Sequence, residues 1–258
     1  MPRIRTTIGV LACLTLPLAA CASSSAQIET TDHTVTVFAA ASLGQAGEEL
    51  ITAYRTEHPD VEIIATYAGS SQLVTQMGEG ASADLLITAD TATMKTAQAN
   101  IDALAQARPQ VIASNKLVLA TAPGNPASVG SVNDLASPGV ITALCAPQVP
   151  CGRLAQQELA QTDITPAKST QEANVSAVTT KISSGQADAG FIYSTDAKAL
   201  SASQNITIIE LPGLESNSYP MALTEAGQAN PTARDFASWL TESEQASAIL
   251  AHYGFNPA

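Results

Sequence analysis

Alternation between strand-like and helix-like segments is the feature of this sequence that most restricts its fold. A run of apolar and β-branched residues at 35–41 is followed by a segment, 45–57, with apolar residues four positions apart. In that segment Ala46, Leu50 and Tyr54 fall on one helical face. Because this alternation recurs along the chain, we predict α/β architecture with mixed, mostly parallel sheets.

The predicted elements fall in two groups separated by breaks. Strands are expected at residues 35–41, 61–67, 84–88, 116–122, 140–144, 189–193, 206–211 and 221–223. Helices are expected at residues 45–57, 71–79, 91–99, 153–161, 174–184, 231–240 and 242–253. Proline- and glycine-rich stretches at 123–130 and 212–218 bracket the middle of the chain. We therefore predict two domains with a hinge between them: domain I from residues 33–118 and 219–258, and domain II from residues 119–218.

The charge of the chain argues against several partners. Its 258 residues include 11 Lys and Arg against 23 Asp and Glu, a formal net charge of −12. Nucleic acids are bound by basic residues that neutralise phosphates, so we expect no nucleic acid partner. Anionic membrane surfaces are disfavoured for the same reason. A small anion is compatible with the sequence, because a local site can be neutral or positive inside an acidic protein.

The first 20 residues are predicted to be a signal peptide and not part of the fold. Arg3 and Arg5 form a positive region, and the apolar stretch that follows is too short for a membrane span. Residues 18–21, Leu-Ala-Ala-Cys, resemble the lipobox of bacterial lipoproteins. This resemblance implies cleavage before Cys21 and a lipid on its thiol, which would anchor the mature protein outside the cytoplasm. A plain secretory signal is the alternative.

The four cysteines have different expected roles. Cys13 lies in the signal peptide, and Cys21 would carry the lipid at the start of a flexible tether rich in Ser and Thr, residues 21–32. Cys145 and Cys151 lie six positions apart, and an oxidising compartment favours a disulfide between them. A metal site using this pair is the alternative, although no histidine or acidic residue lies between them.

Four predicted helix starts share small residues at the point where the chain turns. They are residues 40–43, 68–71, 150–152 and 173–175. A helix N-terminus offers unpaired N–H groups and a partial positive charge of about half a unit. Several such ends around one cavity would bind a dianion without Lys or Arg, because small residues let the anion approach. Taken singly, each serine in these turns is more simply a helix N-cap.

Eight short motifs follow one another along the chain. They are VTVFAAASL at residues 35–43, YAGSSQL at 67–73, ADLLITAD at 83–90, VPCG at 149–152, ANV at 173–175, GFIYSTDA at 190–197, YPMA at 219–222 and HYGF at 252–255. In this order they resemble the periplasmic molybdate-binding proteins of ABC importers. The resemblance implies a type II periplasmic-binding-protein-like fold. It also implies a monomer that binds molybdate or tungstate without a cofactor and delivers it to permease subunits.

The resemblance further implies which residues hold the oxyanion. Family members use serine hydroxyls, backbone amides and one tyrosine hydroxyl, so molybdenum would be bound only as the oxyanion. The corresponding residues here are Ser42 and Ser70 (hydroxyls), Cys151 and Val175 (backbone amides) and Tyr193 (hydroxyl). Cys151 stands where alanine is commoner in the family, which does not affect a backbone donor. Gly69 replaces a more usual serine, and one accessory hydroxyl is therefore missing.

Other functions fit parts of the sequence. The same scaffold would suit sulfate, another oxyanion or a ferric complex, although the clustered tyrosines and histidines expected for iron are lacking. A lipid-anchored enzyme is a further alternative, but no Gly-x-Ser-x-Gly motif occurs and the four turns contain no histidine or paired carboxylates. A lipid-anchored structural or sensor protein would not need anion-binding turns. We therefore predict a binding protein and not an enzyme.

Overall fold

Strands and helices alternate along residues 33–258, which are the residues described by the structure, a computed structural model. The strands are β1 Thr34–Ala40, β2 Glu62–Ala68, β3 Leu85–Ile87, β4 Gln110–Asn115, β5 Leu117–Thr121, β6 Ile141–Cys145, β7 Lys168–Glu172, β8 Ala189–Tyr193, β9 Ile208–Glu210, β10 Asn217–Leu223 and β11 Asn256–Pro257. The α-helices are α1 Gly44–Glu57, α2 Ser70–Gly78, α3 Thr91–Asn100, α4 Pro150–Gln161, α5 Val175–Ser183, α6 Ser194–Ser201, α7 Glu225–Ala229, α8 Pro231–Glu242 and α9 Glu244–Tyr253. Short 3-10 helices lie at Ala41–Leu43, Asp102–Leu104 and Val132–Ala136. The predicted signal peptide, Cys21 and the tether at residues 21–32 lie outside the described residues.

The first helix shows how the sequence pattern sets packing. α1 buries Ala46, Leu50 and Tyr54, the face expected from their spacing. The Tyr54 ring lies 4.9 Å from the ring of Phe236 on α8, edge to face, and its hydroxyl donates to Asp235 at 2.7 Å. A residue at the end of a predicted apolar stripe thus joins the N-terminal part of the chain to its C-terminal helices.

Two sheets form the framework. The first has the strand order β11-β4-β10-β3-β1-β2, and the second has the order β7-β6-β8-β5-β9. The chain leaves the first sheet between β4 and β5, through Lys116, and returns to it between β9 and β10. Asn115 and Asn217 lie opposite each other in the β4–β10 ladder, so the two crossings are adjacent.

The sheets are mixed, and the prediction that they are mostly parallel is corrected. Parallel pairs are β1–β2, β1–β3, β6–β7 and β6–β8, and each of these pairs is linked by helical crossovers. The pairs of β10 with β3 and β4, of β11 with β4, and of β5 with β8 and β9 are antiparallel. For the four pairs that involve β5 or β10, the physical reason is the crossing between sheets. Each of these strands follows a strand of the other sheet, without a helix between them that would turn it parallel to its new neighbours.

The sequence patterns did not predict some of the observed strands and helices, or gave them different bounds. β7 reads Lys-Ser-Thr-Gln-Glu, lies at an edge of the second sheet and has no buried residue, so no apolar alternation indicates it. α6 follows β8 directly, without turn residues between them. β10 starts four residues before the predicted Met221, because Pro220 is accommodated at a register shift next to Tyr219.

The core is mainly aliphatic, with a few fully buried aromatic residues. One cluster of apolar side chains runs through both sheets, and a second covers the other side of the first sheet around Leu73, Leu86 and Met94. Tyr193 and Tyr219 are among the largest fully buried side chains. Among residues 33–258, no helix combines the length and apolar character that crossing a membrane requires.

Candidate functional site

A small cavity lies where helix starts from both sheets meet. We refer to it as the small cavity; its lining is Ala40, Ala41, Ser42, Gly69, Ser70, Ala89, Val149, Pro150, Cys151, Asn174, Val175 and Tyr193. The structure therefore brings the five predicted site residues together, although they are spread over 152 positions of sequence from Ser42 to Tyr193. Four of them belong to a turn after a strand or to the first turn of a helix, and Tyr193 is the last residue of β8. This is the edge where ligands bind in open α/β sheets.

The helix starts around the small cavity keep their N–H groups available. Within the described part of the chain, no side chain caps α2 or α4, whose N-cap residues are Gly69 and Val149. At α5, the Asn174 side chain accepts only from the N–H of Ala177. The amides at the beginning of a helix have no partner inside it, so those of Cys151 and Val175 can serve a ligand.

The simple N-cap interpretation does not hold for the serines. Ser70 is the first residue of α2 and Ser42 lies within the 3-10 helix Ala41–Leu43, so neither caps a helix. Ser70 is 2% exposed, and its hydroxyl oxygen accepts the backbone N–H of Ala89 at 3.0 Å. Because that N–H can only donate, the proton of the Ser70 hydroxyl remains available to another acceptor.

The Ser42 hydroxyl contacts a buried tyrosine, Tyr219, on the side away from the small cavity. Its oxygen lies 2.8 Å from the Tyr219 hydroxyl oxygen. The Asn115 side-chain amide lies within 3.4 Å of the same phenol and donates to the Thr195 hydroxyl at 2.9 Å. This group of polar side chains lies at the crossing between the sheets. Sequence reasoning missed Asn115 and gave Tyr219 no role, although Tyr219 begins one of the motifs that we quoted.

Tyr193 brings a buried hydroxyl to the small cavity. The residue is 1% exposed, and its hydroxyl has no hydrogen-bond partner among residues 33–258. Burial, followed by the charges of neighbouring groups, raises the pKa of the phenol well above its usual range, so the group stays protonated. A buried donor without a partner costs about 1–3 kcal/mol. Such a group at the wall of a cavity is typical of a ligand contact.

A disulfide shapes the start of α4. Cys145 and Cys151 are bonded, with an S–S distance of 2.05 Å, as predicted from the sequence. α4 begins at Pro150, three residues earlier than predicted, so Cys151 lies in its first turn. At Gly152 a Cβ atom would lie 2.0 Å from the Ala146 carbonyl oxygen. Glycine is therefore required where the short loop folds back onto the helix start.

The two sides of the small cavity approach each other closely at Gly69. A Cβ atom here would lie 2.5 Å from the carbonyl oxygen of Ala173, so a serine at this position would push the two sides apart. The neighbouring Ser71 hydroxyl donates to the Gln148 carbonyl at 2.6 Å, again from one side to the other. The missing accessory hydroxyl thus accompanies a tighter contact between the two sides.

An ion pair beside the small cavity also joins the two sides. The Arg153 guanidinium on α4 binds the Asp90 carboxylate, with Nε 3.0 Å from Oδ2, and donates to the Thr93 hydroxyl at 2.5 Å. It also donates to the Gln148 carbonyl. We refer to the Arg153–Asp90 pair as the clasp. Sequence reasoning missed it, because nothing in the spacing of the two residues indicates that they meet.

A second, larger cavity shares Ser42 with the first. This large cavity has a volume of ≈ 490 Å³, and its lining includes Thr179, Asp196, Ser203 and Tyr253. One Asp196 carboxylate oxygen is buried without a partner in the described part of the chain. Burial raises the pKa of Asp196 to about 7, although backbone hydrogen bonds from Tyr193 and Asp196 itself act in the opposite direction.

Metal coordination by side chains finds no support in the described residues. Between residues 33 and 258, no group of three or more His, Cys, Asp and Glu side chains is arranged to hold a metal ion. The alternative of a metal at Cys145 and Cys151 is excluded in this structure by their disulfide.

Comparison with known proteins identifies the family. Residues 35–256 match the family of bacterial extracellular solute-binding proteins. The molybdate-binding protein ModA of Mycobacterium tuberculosis H37Rv is 34% identical over 254 residues, which covers 95% of each chain. This agrees with the resemblance drawn from the motifs.

Solved structures share the fold. The periplasmic molybdate-binding protein of Azotobacter vinelandii matches with a TM-score of 0.73 and 20% identity, over 86% of this chain and 98% of that one. The sulfate-binding protein SubI of Mycobacterium tuberculosis H37Rv matches with a TM-score of 0.75 and 18% identity, over 87% of each chain. These likenesses show the predicted two-sheet, type II binding-protein fold. Together with the sequence match, they establish that the chain belongs to the bacterial extracellular solute-binding proteins.

Proposed function

We propose that this chain captures molybdate, and also tungstate, outside the cytoplasm and delivers it to the permease of an ABC importer. The observation that carries the proposal is the donor character of the small cavity. Its walls offer the hydroxyls of Ser70 and Tyr193 and the amides of Cys151 and Val175, with Ser42 as the fifth group. The name of the Mycobacterium tuberculosis relative, a molybdate-binding protein, supports the choice of oxyanion.

The donors are sufficient for useful affinity. Hydrogen bonds to a charged acceptor contribute about 1.5–3 kcal/mol each. Five of them contribute about 7.5–15 kcal/mol. The upper part of this range exceeds the roughly 8 kcal/mol of micromolar binding and leaves a margin for the cost of association. No Lys or Arg needs to touch the ligand.

The same donors favour a fully ionised ligand. Molybdate, tungstate and sulfate carry no proton at neutral pH and accept at every oxygen. Phosphate is partly protonated, and its O–H would face donors only, which leaves an unmatched polar pair. Sulfate is the second candidate, because the SubI structure has the same fold. The larger molybdate is favoured here by the sequence of the closer relative.

Binding without catalysis fits the lining of the small cavity. Of the described residues, those that line it include no Asp, Glu, His or Lys, and Cys151 is held in a disulfide. A hydrolytic enzyme needs a base within hydrogen-bond reach of its nucleophile, and neither Ser42 nor Ser70 has one. This arrangement supports a binding protein over an enzyme.

Closure of two domains around the ligand is part of the proposal. The volume of the small cavity is ≈ 10 Å³, the space of about one water molecule. A tetrahedral oxyanion would therefore enter only when the walls move apart, and larger ligands would be excluded. We place domain I at residues 33–118 and 219–258 and domain II at 119–218. Support comes from the crossings between the sheets next to Asn115 and Asn217, which form a narrow connection suited to a hinge.

The anchor and the assembly state complete the proposal. The lipobox-like residues before Cys21 support lipidation at that cysteine and attachment to the cell membrane through residues 21–32. A monomer suits a protein that must present both domains to permease subunits. Replacement of Cys21 by Ser should release the protein from the membrane fraction or leave an uncleaved precursor. An unmodified mature N-terminus at another residue, found by mass spectrometry, would contradict the anchor.

Calorimetric titration with four anions tests the proposed function. Molybdate and tungstate should bind with a Kd near or below micromolar, sulfate more weakly, and phosphate most weakly. Ser42→Ala, Ser70→Ala and Tyr193→Phe should each weaken molybdate binding by about 10- to 100-fold. Unchanged affinity in all three variants would show that the site lies elsewhere, and stronger binding of sulfate would favour the second candidate.

A further inference from the structure

The orientation of the Asn115 side chain can be assigned from its neighbours. Its Oδ1 accepts the backbone N–H of Lys116 at 2.8 Å and the hydroxyl of Ser194 at 2.7 Å. A backbone N–H can only donate, so the oxygen of the amide must face Lys116 and the nitrogen must face the other way. That nitrogen therefore donates toward the Tyr219 hydroxyl oxygen, 3.4 Å away.

The direction of the next hydrogen bond follows from this assignment. The Tyr219 oxygen accepts from Asn115, and the Asn217 side chain also hydrogen-bonds this phenol. With both amides on its oxygen, the proton of Tyr219 is left for Ser42, whose oxygen is 2.8 Å away. Tyr219 is fully buried, and burial raises the pKa of its phenol, so the proton is retained at physiological pH. The Ser42 oxygen then accepts from Tyr219, and the Ser42 proton is left for the small cavity.

We propose that Tyr219 is a positioning residue that makes Ser42 a donor, so that Ser42 presents a proton to the bound anion and not a lone pair. Ser70 reaches the same state by a different route, since its oxygen accepts the N–H of Ala89. With Tyr193, all three hydroxyls of the small cavity then act as donors. The inference deepens the proposed function and rests on it: Tyr219 would contribute to selection against protonated oxyanions without touching them.

A double-mutant cycle with molybdate tests the inference. Tyr219→Phe removes the donor behind Ser42, so Ser42 can rotate and offer its lone pair to the cavity. The Kd for molybdate should rise about tenfold in the wild-type background and less than about twofold in the Ser42→Ala background. The ratio of the Kd for phosphate to that for molybdate should fall, because a lone pair in the cavity can accept the proton of hydrogen phosphate.

A matched tyrosine variant and the comparison of the two backgrounds control for a general loss of stability. Tyr253→Phe removes a tyrosine hydroxyl that binds Glu49 at an exposed position, and it should leave both the Kd and the anion ratio unchanged. If Tyr219→Phe lowers the melting temperature, the loss of stability is common to both backgrounds of the cycle. The difference between the two backgrounds then still reports the dependence on Ser42.

The outcomes separate the two proposals. An equal loss from Tyr219→Phe in both backgrounds, or an unchanged phosphate-to-molybdate ratio, would overturn the positioning role while leaving the molybdate site in place. If the single variant Ser42→Ala binds molybdate with full affinity, the result would instead contradict the proposed site.

Discussion

The two cavities that meet at Ser42 differ in size and in chemistry. The large cavity has ≈ 490 Å³ of space but is lined by Asp196, of which one buried carboxylate oxygen has no partner among residues 33–258. The small cavity has ≈ 10 Å³ and only hydroxyl and amide donors as polar groups at its helix starts. The ionised form of Asp196, which is populated at and above its pKa of about 7, would repel a dianion from the large cavity, whereas the donors of the small cavity would satisfy it. We therefore base the proposed anion site on donor character and not on volume.

The sharpest way to break this contrast is to place a carboxylate in the small cavity. Ser70→Asp keeps an acceptor for the Ala89 N–H and puts a negative charge in the first turn of α2, which suits the helix. It should weaken molybdate binding more than about 100-fold, because two negative charges would share one desolvated site. Ser203→Asp is the matched change in the large cavity, and its Kd should stay within about threefold of wild type. Calorimetry of both variants measures these Kd values. Similar losses of molybdate affinity in the two variants would contradict the proposed difference between the cavities.

Removing the unpartnered donor separates binding from stability. Tyr193→Phe should raise the Kd for molybdate about 10- to 100-fold, because a charge-assisted hydrogen bond is lost. In the absence of anion its melting temperature should be equal or higher, because the buried hydroxyl without a partner is removed. Calorimetry and thermal unfolding test both parts. Undiminished affinity together with a lower melting temperature would mean that this hydroxyl serves the fold and not the ligand.

The clasp beside the small cavity should have a smaller effect. Arg153→Met breaks its contacts with Asp90 and leaves that carboxylate uncompensated close to the site. The Kd for molybdate should rise about 2- to 5-fold, within the range expected for a partly exposed ion pair. Lys181→Met is the matched control, because it breaks the Lys181–Glu172 pair, which joins α5 to β7 and does not line the small cavity. Equal effects from both variants would show that the clasp has no special link to the ligand.

The smallest expected effect comes from Asp196 in the large cavity, and it concerns the free energy of unfolding. The folded-state pKa of Asp196, about 7, lies above its usual value of 3.8, so the folded protein holds this proton more tightly than the unfolded chain. The resulting stabilisation is fully present below pH 3.8 and is lost as the pH rises through about 7. The free energy of unfolding of Asp196→Asn, relative to wild type, should therefore be higher at pH 8 than at pH 5. Denaturant unfolding at the two pH values measures this, and a difference independent of pH would contradict it.

The sequence allowed more of the site to be predicted than of the fold details. Local patterns predicted the turns at residues 40–43, 68–71, 150–152 and 173–175. The roles of Ser42, Ser70, Cys151, Val175 and Tyr193 were implied by the resemblance to the molybdate-binding proteins, and the structure brings all five to the small cavity. Asn115 and Arg153 were missed, because their roles depend on contacts with Thr195 and Asp90, which are distant in sequence. The strand directions failed for a similar reason: whether a strand re-enters its own sheet or crosses to the other is a long-range property that no local pattern carries.

A crystal structure with molybdate, using the anomalous signal of molybdenum, tests the central claim most directly. The account predicts one molybdenum atom in the small cavity, with its oxygens in hydrogen-bond contact with the hydroxyls of Ser42, Ser70 and Tyr193 and the amides of Cys151 and Val175. Molybdenum in the large cavity beside Asp196, or no anomalous peak in either cavity at saturating molybdate, would contradict it.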